Sequence, residues 1–463
     1  MDFVRRHDRS LFALALAFGL VLRLGILLNT SDLRTPITDE AQYTQLADNL
    51  VAGNGMAWAP GLPTSIRPPL YPGLLALVWS VAGPDNFQAV RVVQILLALA
   101  TTALVYRLGA RLYSPLVGRL AAALFWLYPS FIFFNFLILT ETLFTFWLVA
   151  FVLASVVLVQ TAGLPIALAC GVSLGLAALT RSVLWPLPLV LCPLLVLLTR
   201  APLARRLAIP VLVFAGYAAV VGPWAVRNTR LQGVPTVVDT MGGINLRMGN
   251  YEYTPDDRMW DAVALTGPRN WLHGYEPAYP GQPVTEGTKD KWAQRKAIEY
   301  MREHPAETVR RSFIKLADFW GLEREFVAGV QKGIYAPPLW FTAIAAAAML
   351  AVYGFVAIAG VAGLWLASPK DWRAQALVLL PMLVILAGHV AAFGHSRYHL
   401  PLIPMLGIYG TALVAERVPS FTWSARPTFV AATATVAALV AIWIRQVALV
   451  DLPRISSLLN HVG

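Results

Sequence analysis

Two carboxylates, Asp39 and Glu40, stand side by side in TDEAQYTQLADNL, residues 38 to 50, just after an apolar segment. A third, Glu141 in FLILTETLFTFW, lies between two further apolar segments. Acids beside membrane-length apolar runs are rare unless they are paired or functional. The cations that match them are arginines: Arg67 before Pro68-Pro69, Arg91, Arg181 after LGLAALT, Arg227 in GPWAVRN and Arg397 in GHSRYHLP. A carboxylate can take a proton from a hydroxyl, and guanidinium groups grip phosphate oxygens. Together they describe a site that holds phosphate while a carboxylate does proton chemistry. Tyr43, His395 and Tyr398 are the candidate substrate contacts beside them. A plain structural alternative stands next to each residue: Thr38, Asp39 and Glu40 suit a helix N-terminus, as do Thr140 and Glu141, and lone arginines at span ends serve as interfacial anchors. Around His395 and His399 no HxxxH or Cys/His set makes a metal motif, His389 falls within an apolar run as a structural residue, and no metal or other cofactor is expected.

The elements that must position these groups are membrane helices. Of 463 residues, 57% are hydrophobic and 13% charged, about half the charge of a soluble domain. The run 11 to 28, after MDFVRRHDRS, is long for a signal-peptide core and lacks a small-x-small cleavage site, so it reads as a retained first span. Ten more runs follow, near 87–108, 116–135, 142–160, 164–180, 183–199, 207–226, 338–366, 375–393, 399–416 and 428–446, making about eleven transmembrane helices. The net charge of +11 comes mostly from arginines at span ends, where they meet membrane lipids; no continuous basic stripe points to nucleic acid. Cys170 and Cys192 fall inside apolar runs and read as small core residues.

The apolar piece 70 to 82, bounded by Pro68, Pro69 and Gly83, is about 20 Å long as a helix, too short for a hydrocarbon core of about 30 Å. Read as interfacial, it makes Arg5, Arg6, Arg9, Arg107, Arg111, Arg200, Arg205, Arg206, Lys370, Arg373, Arg417 and Arg426 all cytoplasmic. Residues 29 to 86, the turns before Thr142, around Arg181 and at His395, the stretch 227 to 337 and the tail after about 447 then face the other side. In residues 38 to 51, Tyr43, Leu46, Ala47, Leu50 and Val51 follow one helical face, ended by Gly53-Asn54-Gly55, and Asp39 tops that face. Glu40 is rotated about 100° from it. The stretch 227 to 337 holds every lysine except Lys370 and the turn signals PDDR and GYEPAYPGQP, and reads as an ordered cap. One helix there shows Trp292, Ala293, Lys296, Ala297 and Tyr300 on a face; a second is expected to place Val309, Phe313, Leu316 and Trp320 inward. Three regions result: 1 to 226 with the chemistry-bearing first loop 29 to 86, the cap 227 to 337, and the C-terminal helices 338 to 463.

The order DEAQY, RPPLYPGLLAL, AVRVVQ…ALVYRLGARLY and LTETLFTF resembles membrane glycosyltransferases of the protein O-mannosyltransferase and aminoarabinose-transferase type, with the GT-C fold. GPWAVRN, GGINLRMGN and SRYHLPLIP resemble the bacterial branch of glycosyltransferase family 39. The likeness runs over most of the chain, strongest at 36 to 145 and weakest at 250 to 335. It implies an all-α polytopic fold and a polyprenyl-phosphate sugar donor used with inversion on the extracytoplasmic face of the bacterial inner membrane. It also implies Asp39 as the catalytic base, Glu40 as its acidic neighbour and Glu141 as the second-loop acid, with a short interfacial helix after the first acidic helix. Arg67 stands where the aminoarabinose branch has lysine, a departure that argues against transfer of aminoarabinose to lipid A.

The acceptor, whether lipid, glycan or protein, is not readable, nor is the sugar. Two other readings fit part of the pattern. An O-antigen-ligase or polymerase-like transferase would use a lipid-diphosphate donor and is not expected to open with an acidic pair. A lipid-linked sugar flippase would place its ionisable residues at mid-membrane depth rather than at one face.

Overall fold

In lipid, backbone N–H and C=O groups must be satisfied within the chain, and apolar runs of about twenty residues do so as helices. The computed structural model describes residues 2–31, 33, 37–256, 258–276, 281–417 and 427–452. Its elements are all helical, apart from one isolated bridge between Ala57 and Pro63. In chain order, α1 (Asp2–Leu28), α2 (Thr38–Val51), α3 (Leu70–Ala82), α4 (Phe87–Leu112), α5 (Pro115–Trp126) and α6 (Pro129–Phe134) come first. Then α7 (Glu141–Thr161), α8 (Leu164–Thr180), α9 (Pro188–Leu198) and α10 (Leu203–Gln232) follow. The intervening stretch carries α11 (Gly242–Gly249), α12 (Glu286–Glu303), α13 (Pro305–Phe319) and α14 (Glu325–Gln331). Last come α15 (Leu339–Leu366), α16 (Trp372–Ala391), a 3-10 turn Ser396–Leu402 that runs into α17 (Ile403–Ala412), and α18 (Pro427–Gln446).

The all-α polytopic fold expected from the sequence is the one observed. Among the described residues, eight helices are long and apolar enough to cross a membrane: α1, α4, α7, α10, α15, α16, the unit Ser396–Glu416 and α18. The other three expected spans fall on the shorter helices α5, α8 and α9, of 12, 17 and 11 residues. Proline explains two of them. The residue before a proline is pushed out of the helical region, and at Tyr128 the backbone turns extended before Pro129 restarts the chain as α6. Around residue 185 a 3-10 turn, Ser182–Leu184, precedes Pro188 at the start of α9. Arg426 and the tail after residue 452 lie outside the described residues.

Close packing relies on small residues where helices cross, as is usual without a hydrophobic drive between spans. At the α8–α10 crossing a side chain on Gly171 would sit 1.9 Å from the Val213 carbonyl oxygen. The first loop is stitched to the bundle through polar groups. Tyr43 of α2 meets Tyr71 of α3 edge-to-face at 5.2 Å. The Tyr71 hydroxyl donates to Gln94 Oε1 at 3.0 Å, and Gln94 Nε2 donates to the carbonyls of Asn135 and Leu137. As expected, α2 buries Tyr43, Leu46 and Ala47. It ends at Gly53 and Gly55, whose φ values of 78° and 72° only glycine adopts freely.

The cap is ordered. Ile244, Met248 and Met259 form a small core with Phe393, which leads out of α16. Asp290 of α12 caps α11 by accepting from the N–H groups of Gly243 at 2.6 Å and Ile244 at 3.2 Å. Trp292, Ala293 and Ala297 of α12 are buried as the sequence predicts. In α13 the expected phase is corrected: Val309 and Phe313 are 57% and 69% exposed, while Arg311 and Lys315 are buried. Lys315 Nζ donates to Asn250 Oδ1 at 2.9 Å and to the Ala391 carbonyl at 3.0 Å, and Arg311 donates to the Tyr251 carbonyl at 2.6 Å. The basic residues turn inward because the carbonyls of Tyr251 and Ala391 lie there to accept from them. Burial pushes the Lys315 amine down to about 7.

The α8–α10 contact yields a stability prediction. Gly171→Ala should destabilise the protein by about 1–3 kcal/mol through forced helix separation, read as a lower thermal midpoint in detergent. Gly222→Ala in α10, where the new methyl meets nothing within 4 Å, should leave the midpoint unchanged or raise it.

Candidate active site

Asp39 occupies the first turn of α2, where the helix dipole favours an anion. Its side chain is 32% exposed, so it is both held and reachable. Arg67 Nη2 donates to Asp39 Oδ1 at 2.6 Å, and Arg397 Nη1 lies 3.3 Å from Oδ2. Arg67 is itself fixed by Gln42, one turn along α2, which accepts from its Nε at 2.9 Å and its Nη2 at 2.6 Å. Burial alone would raise the Asp39 pKa, but Arg67 and Arg397 outweigh it and hold the carboxyl below the usual range. Asp39 is therefore ionised at neutral pH.

Glu141 opens α7 and is wholly buried. Arg181, at the C-terminal end of α8, donates from Nη2 to Glu141 Oε1 at 2.6 Å and from Nε to Thr140 Oγ1 at 2.8 Å. Arg397 Nε donates to the same Glu141 oxygen. Arg397 thus bridges Glu141 and Asp39, and three chain segments meet at its guanidinium. Asp39 and Glu141 stand in the first turns of α2 and α7, where the helix dipole favours an anion, and Arg181 follows the last residue of α8, where it favours a cation.

Of the other sequence candidates, Glu40, Arg91 and Arg227 bond backbone groups, while Tyr43, His395 and Tyr398 lie against the arginines of the site. Glu40 is 1% exposed and accepts from the backbone N–H of Ile37 at 3.1 Å and of Ile138 at 2.8 Å. It ties the start of α2 to the loop before α7, and burial raises its pKa. Arg91 is fully buried and donates to the carbonyls of Thr30, Leu33 and Phe136 at 2.6–3.0 Å. Arg227 donates to the carbonyls of Thr64 at 2.6 Å and Met56 at 3.0 Å. Both arginines clamp backbone, and neither has a hydrogen bond to Asp39 or Glu141 among the described residues. Tyr43 packs below Arg67, whose guanidinium carbon is 5.4 Å from the ring centre. His395 accepts from the Arg397 backbone N–H at 3.1 Å, stabilising the turn that presents Arg397; burial lowers its pKa. Tyr398 stacks on His389 at 4.1 Å, with Arg181 5.9 Å from its ring centre.

Several participants were not singled out in the sequence. Glu323 accepts from the Tyr128 hydroxyl at 2.7 Å and from the Ser130 hydroxyl, and it lies 3.1 Å from His399 Nε2. His399 Nδ1 faces the Phe319 carbonyl at 2.6 Å, and the ring stacks on Tyr353. This polar knot holds the helical segment that follows Arg397. Asp239 accepts from the Met241 N–H at 3.1 Å, and burial pushes it up to about 6. On the other side of Arg397 lies a cavity of about 290 Å³. Its walls include apolar Ile37, Phe133 and Leu137, the phenol of Tyr335 and the charged Lys332 and Glu325. Gln42 and Lys332 carry no sequence signal beyond a polar residue in helical phase and a lysine before a span. Among the described residues no group of three or more His, Cys, Asp or Glu stands close enough to hold a metal ion.

Residues 66–226 match the sequence profile of the family described as dolichyl-phosphate-mannose-protein mannosyltransferase. This supports the resemblance to glycosyltransferase family 39 on a segment that contains Arg67, Glu141 and Arg181. A search of curated protein sequences finds no match. In fold the chain is similar to the apo oligosaccharyltransferase of Archaeoglobus fulgidus at 12% identity and a TM-score of 0.47, covering 92% of this chain and 56% of that one. It is also similar to the A. fulgidus oligosaccharyltransferase AglB in complex with an inhibitory peptide and a dolichol-phosphate, at 11% identity and a TM-score of 0.48, covering 93% and 56%. A third similar structure is apo ArnT of Cupriavidus metallidurans, at 15% identity and a TM-score of 0.39, covering 86% and 77%. The chain therefore spans little more than half the length of the archaeal enzyme.

The ion pairs differ in cost when broken. Arg397→Ala takes one of two guanidinium groups from buried Glu141 and one from Asp39, and thinning the pairing of a buried charge is costlier than breaking an exposed pair. Arg67→Ala breaks a part-exposed pair worth about 1 kcal/mol. Thermal unfolding in detergent should rank them in that order. Because the folded-state pKa of Asp39 lies below its unfolded value, its pairing stabilises the fold above about pH 4 and is lost on further acidification. Arg67→Ala should flatten that part of the stability–pH curve.

Proposed function

We propose that this chain is an inverting glycosyltransferase that moves a sugar from a polyprenyl-phosphate donor to an acceptor hydroxyl. The reaction would take place on the extracytoplasmic face of the bacterial cytoplasmic membrane. One observation carries the reading: a reachable, ionised Asp39 is bridged by Arg397 to a cavity lined by apolar side chains and two cations, Arg397 and Lys332, with Glu325 as the one acid on its wall. A phosphate with a prenyl tail has that dual chemistry. The mannosyltransferase profile matched by residues 66–226 supports the same class of donor.

In this reading the donor phosphate lies against Arg397 and Lys332, with its tail along Phe133, Leu137 and the neighbouring helices. Asp39 accepts the proton of the acceptor hydroxyl as its oxygen bonds to C1 of the sugar. The C1–O bond to phosphate breaks on the opposite face, so the anomeric configuration inverts. The leaving polyprenyl phosphate gains negative charge, which the arginines stabilise more strongly than they do the donor. A carboxylate of lowered pKa is a weak base, suited to a proton that is lost late, once the hydroxyl oxygen is already bonding to C1. Residues 1 to 226 then supply the reacting groups, 227 to 337 the cap over them, and 338 to 463 the helices that present Arg397. Charged groups gathered at helix ends favour this reading over a flippase, which calls for ionisable groups at mid-membrane depth.

Envelope glycolipids and glycoproteins of a strain lacking this protein, compared by mass spectrometry with the parent, should lose one sugar modification and so identify sugar and acceptor. Restoring Asp39→Asn should leave that modification at least about a hundredfold below wild type; a wild-type level would remove Asp39 as the base. Arg397→Ala should weaken binding of undecaprenyl phosphate to the purified protein about tenfold, and unchanged affinity would take Arg397 out of the phosphate site.

A further inference from the structure

Far from the acids in sequence, the first residue of α12 reaches back to the first loop. Glu286 Oε1 accepts from the Thr64 hydroxyl at 2.6 Å, and its Oε2 accepts from the Ser65 backbone N–H at 2.8 Å. The end of α10 completes the knot. Asn228 Oδ1 accepts from the Ser65 hydroxyl at 2.9 Å, and Gln232 Nε2 donates to that hydroxyl at 3.0 Å. Gln232 Oε1 in turn accepts from the Gly287 N–H at 2.8 Å. A side chain at position 287 would meet Gln232 Cβ at 2.7 Å, so glycine is what lets the start of α12 approach. A carboxylate at a helix N-terminus is well placed to be an anionic acceptor of this kind.

The location of the knot matters more than its strength. Arg67 follows Ser65 by two residues and is followed at once by Pro68 and Pro69, which have fixed φ and lead into α3. Its backbone is therefore suspended between two fixed points, the knot on one side and the proline pair on the other. Neither Thr64 nor Ser65 touches Asp39, yet their placement decides where the Arg67 guanidinium lands. We infer that Glu286 is a positioning residue: by tying the cap to the first loop it sets the meeting of Arg67 with Asp39. The cap is then part of the reacting geometry and not only a cover over it.

This inference rests on the reading of Asp39 as the base. Asp39 is faced by Arg67 from the first loop, by Arg397 and Tyr398 from the 3-10 turn, by Glu141 beyond Arg397, and by Tyr43 on its own helix. Only Arg67 is tied to the knot. Loosening the knot withdraws one cation from Asp39, and the acid limb of activity moves to higher pH.

The test uses washed membranes of the deletion strain, which supply endogenous donor and acceptor, carrying wild-type or variant protein at matched levels. The rate of forming the lost modification is followed against pH. Glu286→Ala should lower the rate about ten- to a hundredfold and shift the acid limb upward; Thr64→Val, which removes one hydrogen bond at nearly constant shape, should do the same more weakly. Glu299→Gln, an exposed acid on the same helix, should change neither. Paired with Arg67→Ala, Glu286→Ala should add little, because both act through one contact. Additive losses, or a fall in rate with the acid limb unmoved in both Glu286→Ala and Thr64→Val, would overturn the positioning role. Wild-type rates in Asp39→Asn would instead sink the reading of the base itself, so the two failures are told apart.

Discussion

The buried carboxylate of Glu141 is the constraint around which the site is built. A charge removed from solvent costs several kcal/mol unless it is matched, and Glu141 is matched by Arg181 and Arg397 on a single oxygen. Meeting that requirement brings the start of α7, the end of α8 and the turn before α17 to one point. Arg397 then has a donor to spare, and it reaches Asp39. The more exposed acid is thus placed by a pairing demand that originates at the hidden one. Arg67 and Gln42 complete its surroundings from the first loop and from α2 itself.

Several parts of this arrangement are visible in the sequence and others are not, for physical reasons. That Asp39, Glu141, Arg67, Arg181 and Arg397 belong together follows from charge bias at span ends, since groups on one side of a membrane can meet. Arg91 and Arg227 look the same by that measure, yet their donors go to backbone carbonyls. No side-chain pattern reports where unpaired carbonyls lie. Glu40 differs from Asp39 by one position, and only the fold reveals that the N–H of Ile138 comes to meet it. Glu323 and His399 are 76 residues apart and carry no shared motif. The shortening of two expected spans was written in Pro129 and Pro188, but apolar content outweighs proline in a count of hydrophobic residues.

Two devices repeat across the molecule. One is an acidic side chain that crosses to satisfy another segment's backbone N–H groups: Glu40 on Ile138, Asp290 on Gly243 and Ile244, Glu286 on Ser65. The other is a buried basic side chain that satisfies carbonyls, as Arg91, Arg227 and Lys315 do. Irregular backbone buried in protein has no water to fall back on, and each unmet group is costly. Long charged side chains supply the missing partners over distances that helices cannot span.

Helix α13 turns Val309 and Phe313 outward and draws Arg311 and Lys315 inward. A segment with that polarity is inside-out by the standards of a water-soluble fold. Cut free of α16, the stretch from 227 to 337 would lose Phe393 from its small core and the Ala391 carbonyl that Lys315 holds. Residues 227 to 337 are therefore not a detachable module: anyone engineering chimaeras must exchange them together with the C-terminal end of α16, as one inheritance unit.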